Sequence, residues 1–342
     1  MKMNRENYRE YDAINFSKLG QLDRNPSKVD EEKDWHDGMA FGSLVDMMCF
    51  EPTRVEEEFY VNDADRSPSK TAKKLADWIL ENKNVGIDDH GIHCIENNTR
   101  FGLSSMLTDA SDAIGSSTDF DRYGGIEYLE SQIKSQDKKV VSEELYSNAR
   151  QATRTLKTHE FTRRYFNNPD KNIVIQNQEP VLWDPSYYDD DLNWMAKSLL
   201  DIVIFDHEEN TVTPVDLKTT SSSVFMFERK MTKWRYYLQA AYYYDGLNWR
   251  IKNHDEVDDY EMLPFEFVVI SSKNLHNPLV YETTENDLDV GRNGGTLSYN
   301  DREVRGWIQL IKDLKWHERN NKWDYPREVY ESEGKVELDI FN

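Results

Sequence analysis

The chain has 342 residues, with 42 Lys and Arg against 64 Asp and Glu, for a formal net charge of −22. Hydrophobic residues make up 38% and aromatic residues 12%, which is enough for a packed core, and no apolar run approaches the length needed to cross a bilayer. Two cysteines, Cys49 and Cys94, exclude a disulfide framework and a four-cysteine iron–sulfur centre. Residues 1–7 lack the apolar stretch of a signal peptide, so a reducing cytoplasm is the expected location, in a bacterium or a phage-infected host.

Taken in order, residues 15–22 predict a short helix capped by Asn15 or Ser17 and stopped at Asn25-Pro26. Residues 35–50 predict a second helix with Met39, Leu44, Val45, Met48 and Cys49 as apolar positions. Residues 61–140 are a variable insertion, with a helix over 72–82, a short strand or turn over 87–98, and a loop over 104–125, rich in Ser, Asp and Gly. His90, His93 and Cys94 are ligand types with no fourth in a polar stretch, and read as incidental. Over 142–166, Leu145, Ala149, Ala152, Leu156 and Phe161 recur at helical spacing. Arg150, Arg154, Lys157, Arg163 and Arg164 lie along the same segment.

The next stretch is the most informative. Residues 177–183 read as a strand carrying Glu179. Residues 194–205 are an apolar run of strand length with Asp201 inside it, an expensive place for a carboxylate unless it is paired or metal-bound. The polar turn 207–210 leads into 211–220, so the two runs form a hairpin. Within Val215-Asp216-Leu217-Lys218-Thr219-Thr220, period 2 puts Asp216 and Lys218 on one face. A carboxylate that holds a hard cation beside an amine that orients water suits phosphodiester hydrolysis; an isolated surface ion pair is the plainer alternative. A helix over 230–250 follows, containing Gln239-Ala240-Ala241-Tyr242-Tyr243 and stopping at Asp245-Gly246-Leu247. Then come a buried strand over 264–270, a turn-rich connection over 286–295 and a last amphipathic helix over 301–320. The tail contains Trp323-Asp324-Tyr325-Pro326.

The order Glu179, Asp201, Asp216-x-Lys218, then a helix with Gln239 and Tyr243, resembles the PD-(D/E)XK nuclease superfamily. Within it the likeness is to the RecE-like family of exonuclease VIII and phage recombination exonucleases, and the motif set spans roughly residues 179–244. The resemblance implies an α/β (α+β) fold with a mixed central sheet flanked by helices. It implies one nuclease domain over 1–342, with an N-terminal helical part over 1–170 and a catalytic core over about 171–330. It further implies a Mg²⁺- or Mn²⁺-dependent deoxyribonuclease, with one or two ions, acting on double-stranded DNA ends in recombination or repair. Asp201 and Asp216 would hold the metal, Glu179 a second ion or its water, and Lys218 would position or deprotonate the attacking water, with a lowered pKa. Gln239 and Tyr243 would hold the scissile strand, with Lys230, Lys233 and Arg235 near it. Two departures stand out. The family's N-terminal helix usually carries a metal-facing His where this chain has Asp46, itself a competent oxygen ligand. Leu199 stands where an Arg often precedes the first Asp.

A charge of −22 sits awkwardly with DNA, whose backbone is held mainly by Lys and Arg. Related exonucleases retain DNA by closing into rings, and the resemblance implies a ring-shaped homo-oligomer, with a single-strand annealing protein as a further partner and no membrane. Two alternatives stay open at this point: an endonuclease of the same superfamily, and a catalytically silent acidic binding module.

Overall fold

The computed structural model describes residues 7–29, 31, 35–62, 68–136, 138–254, 257–297 and 302–335. Two compact units emerge, one of residues 1–38 with 151–342 and one of residues 39–150. The chain opens with β1 (Ile14–Asn15) and α1 (Phe16–Arg24). The Asn15 side chain accepts from the Lys18 backbone N–H at 2.9 Å, satisfying one of the helix's otherwise orphaned donors. Leu19 and Leu22 bury the inner face of α1.

The next elements, most of them in the second unit, are α2 (Asp37–Phe50), α3 (Val55–Glu58), β2 (Phe59–Asn62), α4 (Lys70–Asn82), β3 (Val85–Asp88), β4 (Gly91–Glu96), β5 (Thr99–Gly102), α5 (Leu103–Ile114), α6 (Gly125–Ser135) and β6 (Lys139–Ser142). Strands β3, β4 and β5 form an antiparallel meander, and β2 pairs with β6 in parallel, bracketing everything between them. The insertion has its own core: Leu75, Ala76 and Ile79 of α4 meet Met106 and Ala110 of α5, Leu129 of α6 and Ile92 of β4. Helix α5 corrects the expectation of a loop over 104–125. Met106, Leu107, Ala110 and Ile114 keep helical spacing into that core, and Gly115, at φ 64°, ends the helix in the left-handed conformation that glycine tolerates. His93 turns to the Gly91 carbonyl at 3.2 Å, and Cys94 is buried in the same core.

Helix α7 (Glu143–Thr158) carries the chain onward; its Ala149, Ala152 and Leu156 are fully buried, whereas Phe161, beyond its end, is exposed. The remaining elements are β7 (Ile173–Trp183), β8 (Ala196–Asp206), β9 (Thr211–Thr220), α8 (Glu228–Lys233), α9 (Tyr236–His254), β10 (Glu261–Met262), β11 (Glu266–Ser271), β12 (Leu279–Glu282), α10 (Glu285–Asn293), β13 (Gly295–Thr296), β14 (Glu303–Val304), α11 (Trp307–Asn320) and α12 (Arg327–Glu331). Seven strands make a mixed sheet. Strands β7, β8 and β9 are antiparallel neighbours, β11 lies parallel to β9, and β12 runs antiparallel to β11. The predicted hairpin is β8–β9, with Asn210 at φ 51° in its turn. The parallel β9-to-β11 step needs a crossover, and α9 supplies it. The fold is α/β, a mixed central sheet flanked by helices.

Two further expectations are corrected. Asp245-Gly246-Leu247 does not stop a helix, because α9 continues to His254. Gly246 is there for close packing: a Cβ would lie 2.6 Å from Trp183 Nε1. The Trp183 ring in turn meets Tyr242 and Trp307 edge-on at 5.0 and 5.3 Å. Asp245 is fully buried and accepts from Arg292 Nε and Trp307 Nε1, each at 2.8 Å. Nor is 286–295 only a turn-rich connection. Thr284 and Asp287 close a capping box, and α10 follows, packed so tightly on α9 that a Cβ at Gly291 would sit 2.4 Å from the Tyr237 carbonyl oxygen.

Candidate functional site

The site forms where the central strands part. β7 occupies one edge of β8 along its length. On the other edge, β1 meets only Ala196 and Lys197, and β9 meets only Ile202 to Asp206. Among the described residues, the stretch from Ser198 to Asp201 has no ladder partner on that edge. The β8–β9 ladder ends at the Ile202–Val215 pair, while β9 continues beside β11 as far as Thr220. The β7–β8 ladder is also interrupted here, stepping from Asn177–Ile202 to Glu179–Leu200. Gln178, between them, is turned to φ 52°. Asp201 stands at both breaks.

Backbone groups freed from a ladder need other partners when buried. Asp201 supplies one: its Oδ2 accepts from the Leu217 backbone N–H at 2.9 Å. Its Oδ1 accepts from Gln178 Nε2 at 3.3 Å. The residue beside Asp216 is thus bonded directly to Asp201. Asp216 is 2% exposed, and its Oδ1 accepts from Gln239 Nε2 of α9 at 3.0 Å. Its Oδ2 pairs with the Lys218 ammonium but receives no well-directed hydrogen bond among the described residues. Burial pushes the Asp216 carboxyl up, against the pull of Lys218. For Lys218, burial lowers the ammonium's pKa, but Asp216, then Tyr236 and Asp201, outweigh it and leave the net shift upward. Lys218 is thus shifted opposite to the lowered pKa expected for it. It lies over the Tyr236 ring at 5.1 Å.

Tyr243 follows Gln239 by one helical turn. Burial raises its hydroxyl pKa well above the ordinary value; Tyr8, Asp216 and Asp201 add to the shift, and Gln239 opposes it. Glu179 is placed differently from Asp201. It opposes Leu200 in the ladder, and its carboxylate accepts from Arg250 at 2.6 Å. Arg235 is bound to Asp23, which also takes Arg305. Lys230 donates to Thr220 Oγ1 at 2.6 Å, at the end of the strand that carries Asp216. Lys233 is exposed on α8. Asp46 lies half-buried on α2.

Sequence reasoning missed Gln178, Tyr236, Arg250 and Lys197. The last is buried on β8 and bonded to the carbonyls of Tyr8 and Tyr11 at 2.9 and 2.6 Å. Strand parity would single out Gln178 over Glu179 as the residue across from Asp201, but only once the register is known.

Among the described residues, no group of three or more His, Cys, Asp or Glu gathers at metal-binding geometry. The donors that do come together are two carboxylates, Asp201 and Asp216, joined through the Leu217 backbone N–H beside Asp216. An all-oxygen set of this kind fits Mg²⁺ or Mn²⁺, which complete their shells with water. Asp216 Oδ2 is buried without a well-directed donor among the described residues, and the Lys218 ammonium supplies the positive charge beside it.

No family model matches the chain, and no curated protein matches it. Eight solved chains match in structure. One is a crystal structure of a protein from Eubacterium rectale provisionally assigned as an exonuclease. It shares 11% identity, with 100% of this chain and 97% of that chain covered, at a TM-score of 0.47.

Proposed function

We propose that the chain is a metal-dependent deoxyribonuclease of PD-(D/E)XK type, acting from the ends of linear double-stranded DNA in recombination or repair. The observation that carries this reading is the double break in the sheet, beside which Asp201, Asp216, Lys218 and Gln239 lie together. Mg²⁺ or Mn²⁺ held by Asp201 and Asp216 would supply charge stabilisation to the phosphate and an activated water.

The chain's own residues do the rest. Gln239 fixes the Asp216 carboxylate from the helix side. Lys218 donates a hydrogen bond to the attacking water or to a phosphate oxygen. Tyr243, kept neutral by its raised pKa, holds a phosphate of the scissile strand by donation. Glu179, tied to Arg250, steadies the strand that carries Gln178; a direct ligand role for Glu179, or for Asp46, requires it to exchange its present surroundings for a cation. We further propose that several copies enclose the duplex, which offsets the small number of cations on each.

The test compares linear with closed circular duplex DNA, with Mg²⁺ and with chelator, for the wild type and Asp216→Asn. Linear DNA should be degraded only with Mg²⁺, circles should survive, and Asp216→Asn should be inactive though folded. Equal attack on closed circles overturns end-dependence. No cleavage under any cation condition overturns the enzyme reading.

A further inference from the structure

Phe225 is 74% exposed, the most exposed large apolar side chain among the described residues, and Met226 beside it is 38% exposed. They form part of a single 3₁₀ turn, Val224–Met226, between β9 and α8. Both ends of the turn are anchored. Val224 is buried and its carbonyl accepts from Tyr281 Oη at 2.8 Å. Phe227 is 1% exposed and its ring stacks on Tyr236, 5.4 Å between centroids and 19° apart. A ring presented to water on so fixed a support carries little ordering cost if something binds it.

Trp234, just past α8, is 41% exposed. Arg24 and Lys233 lie over its ring at 5.1 and 5.2 Å. Arg229, Lys230 and Lys233 of α8 have no carboxylate partner among the described residues, against one acid, Glu228, on the same helix. The Lys230 ammonium is pushed below its ordinary pKa by burial and by the charge of Lys233. In a chain of net charge −22, unneutralised cations beside exposed rings are a local departure that selects its ligand. Rings take the faces of bases, and cations take phosphates. A nucleic-acid strand offers both only where its bases are unpaired, because a duplex hides base faces in its own stack. The segment is also tied to the site: Lys230 bonds Thr220 at the end of β9, and the Tyr236 ring that stacks on the buried Phe227 lies under Lys218.

We propose that the Phe225–Trp234 segment is a stacking platform for unpaired DNA, holding one separated strand next to Asp216 and Lys218. The inference deepens the nuclease reading and rests on it for what the strand is held for.

The test uses the full chain in chelator, so that no turnover intervenes. Anisotropy is measured with labelled single-stranded dT20 and with a blunt duplex of the same length. Phe225→Ala should weaken dT20 binding by about 5- to 100-fold, the range of one base–aromatic stack. Its effect on the duplex should be smaller, and Phe225→Trp should restore dT20 binding. The exposed position lets both variants fold, which melting curves verify. Wild-type affinity for dT20 in Phe225→Ala overturns the platform, as does an equal loss on duplex and single strand. If linear DNA is still cleaved with Mg²⁺ in that case, the nuclease reading survives alone. If dT20 binding depends on Phe225 but no cation supports cleavage, the platform stands and the nuclease reading falls.

Discussion

Lys218→Met removes the one charge partner that Asp216, itself 2% exposed, has among the described residues. Asp216 then keeps Gln239 alone. Breaking a buried pair from one side costs about 3–5 kcal/mol, because the remaining charge is left uncompensated. Asp216→Asn is milder: the Lys218 side chain is 16% exposed, lies over Tyr236 and feels Asp201, so a loss of about 1–2 kcal/mol is expected. Combining the two removes both charges and should bring stability back to within about 1 kcal/mol of wild type. The coupling energy is therefore on the order of 3–7 kcal/mol. The assay is urea unfolding of all four proteins in chelator. Adding Mg²⁺ to the wild type should then stabilise it by about 2.7 kcal/mol at 100 times the dissociation constant, and the double variant should lose that gain. Single-variant losses that simply add in the double, within about 0.5 kcal/mol, would refute a coupled buried pair.

Three other outcomes follow from the packing. Gly246→Ala should destabilise by about 1–3 kcal/mol through overpacking against Trp183, outweighing the helix propensity of alanine, as melting would show. Arg292→Met should cost about 3–5 kcal/mol, since Asp245 is fully buried, and the double Asp245→Asn/Arg292→Met should recover much of it. Burial raises the Glu266 carboxyl above its ordinary 4.5, with Tyr165 and Arg164 opposing. A raised carboxyl favours the folded state when protonated, so its contribution is complete below the unfolded value and is lost as pH rises through the folded one. Glu266→Gln should therefore flatten the decline in melting temperature that begins above pH 4.5, and an unchanged profile would count against it.

The β8–β9 hairpin was legible because its signals are local: an apolar run, a polar turn and period-2 alternation that puts Asp216 beside Lys218. The N-cap at Asn15 was legible for the same reason. The failures come from contacts distant in sequence. Glu179 was read on its strand, but that Gln178 faces Asp201 follows only from the ladder register and the φ of Gln178. Arg235 read as a free cation, yet its partner Asp23 lies 212 residues away. Gly246 read as a stop because glycine usually ends helices; only Trp183, from another strand, explains it. Helices α5 and α10 were hidden by polar composition, although α10 had its capping box in plain sequence.

The charge balance leads to a test of assembly. Several cations are engaged internally: Arg235 by Asp23, Arg250 by Glu179, and Arg164 by Tyr165 and Glu266. On α8, Arg229, Lys230 and Lys233 have no carboxylate partner among the described residues. Each neutralised phosphate on duplex DNA contributes about −0.9 to the slope of log affinity against log salt. One chain using these three cations should therefore give a slope of about −3, whereas three copies closing on one duplex should give about −8. The measurement is duplex affinity in chelator across a salt series, read beside the particle mass from light scattering. A trimeric mass with the steep slope supports an enclosing ring. A monomeric mass with a slope near −3 removes it, and retention on DNA then depends on the platform and the site alone.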